Sequence, residues 1–395
     1  METIQGTKRE NKIFAETKER TRLIGEYSGK AEGPVVIFVG GIHGNEPAAI
    51  VALEKVLGTL SQLHPPFKGK MVAFRGNLNA LSKSLRYIDE DMNRIWYQER
   101  MKRLTDDPSE NVDDTTEQKE QRELFSLLQP YFQDKQHPVY LIDLHTTSAK
   151  SLPFAILADT LRNRKLAMNL HAPLVLGLEE LLDGTIMHYA GDLGFCTMAF
   201  ESGQHDEIGS IHNHVAAIWL FLVGTGSIAR KNVPNLASHE KKLINTCKSL
   251  PRAFEIKYRY GIQAGEGFRM EPGYENFHPI SRGELLARNK KGEIHSHLTG
   301  NIFMPLYQSL GSDGFFIIRK VPYFWLKISE WMRRLRLDKI LPLLPGITKN
   351  PEAENELIIN QKIARWYVVE IFHLLGYRKK RIEDERMIVT KSGNL

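Results

Sequence analysis

Four short stretches hold nearly all the residues in this chain whose types and spacing could do chemistry. His43 and Glu46 lie three apart in Gly40-Gly41-Ile42-His43-Gly44-Asn45-Glu46. Arg86-Tyr87-Ile88-Asp89-Glu90-Asp91-Met92-Asn93-Arg94 forms the second stretch, Ile142-Asp143-Leu144-His145-Thr146-Thr147 the third, and Glu201-Ser202-Gly203-Gln204-His205 the fourth. Two imidazoles and one carboxylate are a donor set that zinc accepts while keeping its fourth position open for water, as a catalytic zinc requires. Glu201 is then a free carboxylate suited to take a proton from that water. Arginines of the second stretch can hold a developing oxyanion and an anionic substrate group. On a strand Asp143 and His145 point to one face. Asp143 therefore either orients a ligand imidazole by hydrogen bonding or serves a strand-end hydrogen bond.

The elements that must position these groups can be read from the flanking sequence. Val35-Val36-Ile37-Phe38-Val39 reads as a buried strand, two glycines open a tight turn, and Pro47 suits the first turn of the helix that follows. Ile50, Leu53, Val56, Leu57 and Leu60 give that helix its apolar face. Further strands are expected over 71–74, 139–144, 154–158, 172–178 and 196–200, and helices over 95–104, 117–132, 160–170 and 208–223. A weaker strand is expected over 21–27, and the polar run 105–118 reads as a mobile loop. This alternation predicts an α/β domain with a largely parallel sheet over residues 1–250. The four stretches fall at or just after strand ends, where open α/β sheets bind ligands. Short strands among glycine-rich turns indicate a small β-rich domain over 251–320, and 323–344 and 352–375 read as helices, giving a helical C-terminal extension over 321–395.

Composition narrows the class. The chain has 395 residues, 42% hydrophobic and 25% charged, which is ordinary for a soluble globular protein. Its two cysteines, Cys196 and Cys247, can build neither a disulfide framework nor a thiolate zinc site, so a reducing cytoplasm is the expected location. No signal peptide is read in Met1 to Arg22, and no apolar run approaches the roughly 18 residues of a spanning helix. The net charge of +6 is concentrated near the C-terminus and has no nucleic-acid-binding signature beside it.

The order His-x-x-Glu, Arg-Tyr-x-x-x-Asp-x-Asn-Arg, Asp-Leu-His and then Glu resembles the succinylglutamate desuccinylase/aspartoacylase family, relatives of the zinc carboxypeptidases. The likeness covers about 33–225 and continues more loosely to about 320. It implies one zinc per chain held by His43, Glu46 and His145, with Glu201 as general base and then general acid. It implies that Arg86 polarises the scissile carbonyl and that Asn93 with Arg94 binds a substrate carboxylate. The implied fold is a mixed, largely parallel α/β sheet with helices on both faces and a small β domain, and the implied chemistry is hydrolysis of an N-acyl amide. Two departures are plain: Thr146-Thr147-Ser148 follows the third ligand where asparagine is common, and no residue matches the arginine those enzymes use for a substrate side-chain carboxylate.

Each residue also has a blander reading. His43 alone would be a packed or capping histidine, and Arg86 and Arg94 could simply pair with Asp89, Asp91 or the acidic loop. Glu201 could be a surface carboxylate. His171, His188, His212 and His214 read as ordinary polar positions, with His205 close enough to Glu201 to line a pocket. Cys196 reads as a small core residue. The segment 323–344 mixes aromatics with basic residues; packing on the body or on a second subunit, as in a homo-oligomer, is preferred to contact with a membrane surface. The expected activity is a zinc-dependent amidohydrolase acting on an N-acyl amino acid or a similar small carboxylate-bearing amide. The alternatives are a metallocarboxypeptidase and a non-catalytic binding protein on the same scaffold.

Overall fold

The computed structural model describes residues 21–107, 109, 112–351, 353, 356–360, 372, 374–383 and 386–391. Its first half alternates strand and helix. Strands β1 (Leu23–Ser28) and β2 (Ala31–Gly40) lead to α1 (Ala48–Leu63), and β3 (Lys68–Arg75) leads to the short α2 (Leu78–Lys83). Helices α3 (Gln98–Asp106) and α4 (Thr116–Phe132) then precede β4 (Val139–Thr147). After β5 (Phe154–Ile156) come α5 (Leu161–Ala167), β6 (Leu174–Leu176), α6 (Ile186–Asp192), β7 (Cys196–Gln204), α7 (Ile208–Gly224) and α8 (Leu236–Cys247).

Strand β2 is central because nothing polar interrupts it: Val35 to Val39 are all buried, with β3 and β4 parallel on its two sides. Its side chains alternate between two cores, as the pleat requires. Val36 and Phe38 face the core built with α1, α7 and α8, whereas Val35, Ile37 and Val39 face the core built with α3, α4 and α6. Helices therefore cover both faces, and the sheet is mixed and largely parallel around the site.

The second half continues with β8 (Ala253–Gly261), β9 (Arg269–Met270), β10 (Pro279–Ile280), β11 (Leu285–Asn289), β12 (Gly292–His295), β13 (Gly300–Phe303) and β14 (Asp313–Lys320). Four of these extend the first sheet, whose eleven strands run β1-β3-β2-β4-β7-β5-β6-β8-β14-β13-β10. Strands β12, β11 and β9 form a separate antiparallel sheet.

Beyond 321 the helical expectation holds only in part. Helix α9 (Tyr323–Arg334) and a 3-10 turn over Leu337–Leu343 are followed by β15 (Ile347–Lys349), β16 (Glu356–Asn360), β17 (Tyr377–Glu383) and β18 (Arg386–Lys391), paired in the order β15-β16-β18-β17. The helix expected over 352–375 gives way at β16. There Leu357-Ile358-Ile359 pairs with Met387-Ile388-Val389, and apolar β-branched residues fit a pleated ladder better than a helix. The rest of that expected helix falls largely on 361–371, outside the described residues. The inner face of α9, Leu326, Ser329 and Arg333, packs on the body, while Phe324 and Trp331 are 66% and 60% exposed. Arg333 and Arg164 both bond to the buried Asp159, joining α9 to the first sheet. Among the described residues, no helix is long and apolar enough to cross a membrane.

Candidate metal centre and its cleft

The turn after β2 is built from glycine by necessity. Gly41 has φ +73°, a region L side chains avoid, and a Cβ on Gly44 would lie 2.0 Å from the carbonyl carbon of Ala80. The turn is closed by the Glu46 amide donating to the His43 carbonyl at 3.2 Å, and the Gly44 amide donates to the Arg86 carbonyl at 3.2 Å. Side chains of His43 and Glu46 thus face the ends of the neighbouring strands. Gly40 on β2 pairs with Leu144 on β4, and His145 on β4 pairs with Glu201 on β7. Parallel pairing alone brings the third and fourth stretches side by side.

All three expected ligands converge. His43 Nδ1 lies 2.9 Å from Glu46 Oε1 and His145 Nδ1 lies 3.1 Å from Glu46 Oε2. Among the described residues these three buried side chains form a group able to hold a metal ion, each offering one donor atom within 4.8 Å of the others. The outer nitrogens are also engaged: His43 Nε2 meets Asp91 Oδ1 at 3.1 Å and His145 Nε2 meets Asp143 Oδ2 at 2.7 Å. A carboxylate on each Nε2 orients the ring and turns each Nδ1 toward Glu46. The donor set, two imidazole nitrogens and one carboxylate, fits a divalent transition metal such as zinc.

Electrostatics agree with that arrangement. Burial opposes ionisation of Glu46, but His43 and His145 outweigh it and hold the carboxyl well below its ordinary range. Burial likewise opposes charge on His145, and Asp143 with Glu46 overrides it, raising the imidazole well above its ordinary value. Glu201 behaves oppositely. Burial, with Glu46 and Asp143 nearby, pushes its carboxyl up to about 8 against the pull of His145 and Arg86. Its Oε2 is buried and has no hydrogen-bond partner among the described residues. An unpartnered buried carboxylate oxygen beside such a centre marks a group reserved for a ligand or a proton.

The second stretch is a loop fixed from outside. Glu117, buried in the first turn of α4, accepts from the amides of Ile88 (2.7 Å), Asp89 (2.9 Å) and Glu90 (3.2 Å) and from Asn77 Nδ2 (2.9 Å). Glu120 accepts from the amides of Leu78 and Asn79, each at 2.9 Å. The loop so held places Arg86 Nη2 2.9 Å from Asp91 Oδ2 and Arg86 Nη1 3.9 Å from Glu46 Oε1. Asn93 is buried with both ends of its amide engaged, donating to Asp143 Oδ2 at 3.1 Å and accepting from the Ile186 amide at 3.0 Å. In this geometry it braces Asp143, and through it His145. Arg94 reaches outward, with Nη2 3.7 Å from Asp313 Oδ2.

Sequence reasoning named Asp91 as a partner for Arg86, which it is, but found neither its contact with His43 nor the role of Glu117. Asp91 lay inside a quoted motif but carried no sign of which histidine it serves. Glu117 looks like any solvated helix-start acid; only its burial distinguishes it. The segment from Met304 to Asp313 lines the cleft together with Arg86, Arg94, Thr146 and His205. Asn45 Nδ2 bonds to Gln308 Oε1 at 3.0 Å, tying this segment to the metal-site turn. His205 does reach the cleft, with Nδ1 2.7 Å from Thr146 Oγ1. The other histidines lie elsewhere: His171 near Glu240, His188 near Asp192, His212 exposed, and His214 buried edge-on to Phe200.

The chain is similar to known proteins in sequence and in fold. Residues 32–216 match the model of the Succinylglutamate desuccinylase/Aspartoacylase catalytic domain. An N-acyl-aromatic-L-amino acid amidohydrolase (carboxylate-forming) from Xenopus tropicalis is 31% identical over 115 residues, 29% of this chain and 34% of that protein. The chain thus spans about a third of the length of that curated relative. A succinylglutamate desuccinylase/aspartoacylase from Rhodobacter sphaeroides has the same fold at TM-score 0.53 and 16% identity, over 75% of this chain and 88% of that one. A succinylglutamate desuccinylase from Vibrio cholerae aligns at TM-score 0.53 and 17% identity, over 75% of this chain and 85% of that one. The chain thus carries, over residues 32–216, the pattern of the succinylglutamate desuccinylase/aspartoacylase catalytic-domain model, on a fold shared with these solved structures.

Proposed function

We propose that the chain is a zinc-dependent hydrolase that cleaves the amide bond of an N-acyl amino acid. The observation that carries this reading is the convergence of His43, Glu46 and His145 beside Glu201, whose buried carboxylate oxygen has no partner among the described residues. Support also comes from the Xenopus relative, an N-acyl-aromatic-L-amino acid amidohydrolase. His43, Glu46 and His145 would hold the zinc, which supplies Lewis acidity toward a carbonyl and makes water acidic enough to lose a proton near neutral pH.

The chain's own residues perform the remaining work. Glu201 takes the proton of the attacking water and passes it to the leaving amine. The Arg86 guanidinium, held by Asp91 beside Glu46, is placed to donate to the carbonyl oxygen as negative charge develops on it. Arg94 anchors the substrate carboxylate from the outer side of the cleft, and Asn93 keeps Asp143 against His145.

A carboxypeptidase acting on longer peptides needs an open cleft. Here the Met304–Asp313 segment lines it and is tied down through Asn45, which favours a small substrate. The non-catalytic reading has no use for a buried, unpartnered Glu201. The deciding experiment compares hydrolysis of a panel of N-acyl amino acids by zinc-loaded wild type and Glu201→Gln. A loss of about a thousandfold in kcat is expected, together with abolition by chelator and recovery with zinc. Equal rates in the two proteins would leave only the binding reading.

A further inference from the structure

No residue is matched to the arginine that the family resemblance implies for a second substrate carboxylate, so the lining of the cleft decides which side chain fits. Beyond Arg86 and His205 lies a cavity of about 80 Å³. Its apolar wall is Leu182, Met304, Pro305, Leu306 and Phe316, beside the uncharged polar Thr146, Thr147, Ser148, Gln308 and Ser312. The wall is held in place: the Leu306 amide donates to the Gly314 carbonyl at 2.9 Å, and a Cβ on Gly311 would lie 2.9 Å from Leu306 Cδ1.

Charge around this cavity admits one carboxylate. Among the described residues, the cations lining it are Arg86 and Arg94. Arg86 is compensated by Asp91 at 2.9 Å and faces Glu46. Arg94 is the cation available to a ligand, and Asp313 already stands 3.7 Å from it. Asp313 is itself bonded to Arg259 at 2.6 Å. A second substrate carboxylate would be desolvated against an apolar wall, next to a like charge, with no cation to receive it.

We propose that this chain selects N-acyl amino acids whose side chain is uncharged, apolar and compact. Size follows from the volume: about 80 Å³, shared with the carboxylate on Arg94, is well under the roughly 150 Å³ of a cavity that holds benzene. An aliphatic side chain such as that of leucine or valine therefore suits the space better than a phenyl ring. The proposal rests on the amidohydrolase reading of the same site.

The test measures kcat/KM of the zinc-loaded full chain for N-acetyl-L-leucine, N-acetyl-L-phenylalanine and N-acetyl-L-aspartate. The leucine compound should exceed the phenylalanine one by about tenfold and the aspartate one by about a hundredfold. Phenylalanine at or above leucine would overturn the assignment of size; aspartate equal to leucine would overturn the assignment of polarity. Calorimetry of the same compounds on Glu201→Gln separates the two claims. If nothing is hydrolysed but leucine still binds tightest, the catalytic reading fails and the pocket assignment stands. If aspartate binds as well as leucine, or none binds, the assignment fails. Leu306→Arg supplies the missing cation and should shrink the leucine-to-aspartate ratio about tenfold, whereas Leu306→Met should keep it. An unchanged ratio in a folded Leu306→Arg protein would count against the wall.

Discussion

Asp143 has two neighbours with different claims on it: Asn93 donates to its Oδ2 while His145 Nε2 sits 2.7 Å from the same atom. Replacing Asp143 by Asn puts an amide where the imidazole needs an acceptor. The variant should fold but bind zinc about 10- to 100-fold more weakly, measured by competition with a chromogenic chelator. Wild-type affinity would mean that Asp143 serves only the strand end. At Glu201 the prediction concerns pH. In metal-free protein its carboxyl titrates near 8, against 4.5 for an ordinary glutamate, so the native state keeps a proton that the unfolded chain has lost. That contribution is whole below about 4.5 and disappears as pH rises through about 8, and the raised His145 adds a loss in the same direction. The Tm of metal-free wild type should therefore fall between about pH 6 and 9, and that of Glu201→Gln should fall less; identical slopes would show that Glu201 holds no such proton. The convergence of His43, Glu46 and His145 beside Glu201 could be read from sequence because each sits at a strand end or turn that its own flanking residues define. The partners that hold them in place could not, because Asp91 and Glu117 declare themselves only through burial and through contacts across the fold.

Among the elements, α4 does more for the site than its distance in sequence suggests. Glu117 accepts three loop amides and one side-chain amide, so Glu117→Ala strands several buried donors. Such loss should cost about 3 kcal/mol or more of stability and lower kcat/KM through the loosened Arg86, while Glu117→Gln keeps part of both. Chemical denaturation together with steady-state kinetics checks this; unchanged kinetics would mean that the loop holds its shape without α4. The alternation of strands and helices up to residue 224 was legible because the apolar periods there are clean. The C-terminal sheet was not, since Leu357-Ile358-Ile359 lies in an apolar run that suits either a buried strand or a helix, and the pairing with β18 that decides it lies far along the chain.

At the scale of the whole molecule, Asp159 carries an unusual share of the assembly. It sits 1% exposed, bonded by Arg164 from α5 and by Arg333 from α9. Asp159→Asn would remove the buried carboxylate that both guanidiniums share, and a destabilisation of about 3 kcal/mol is expected in urea titrations. A loss below about 1 kcal/mol would show that α9 is held by its apolar contacts instead. The ladder of eleven strands has a different consequence, for turnover. Met304 and Asp313 flank β13 and β14 of the same ladder that carries His145 and Glu201, and rotating one half against the other would tear backbone bonds between β6 and β8. If the chain cleaves an N-acyl amide as proposed, any motion that admits substrate or frees product belongs to the Pro305–Ser312 crossing, a few residues between two strands, and not to the two halves of the sheet.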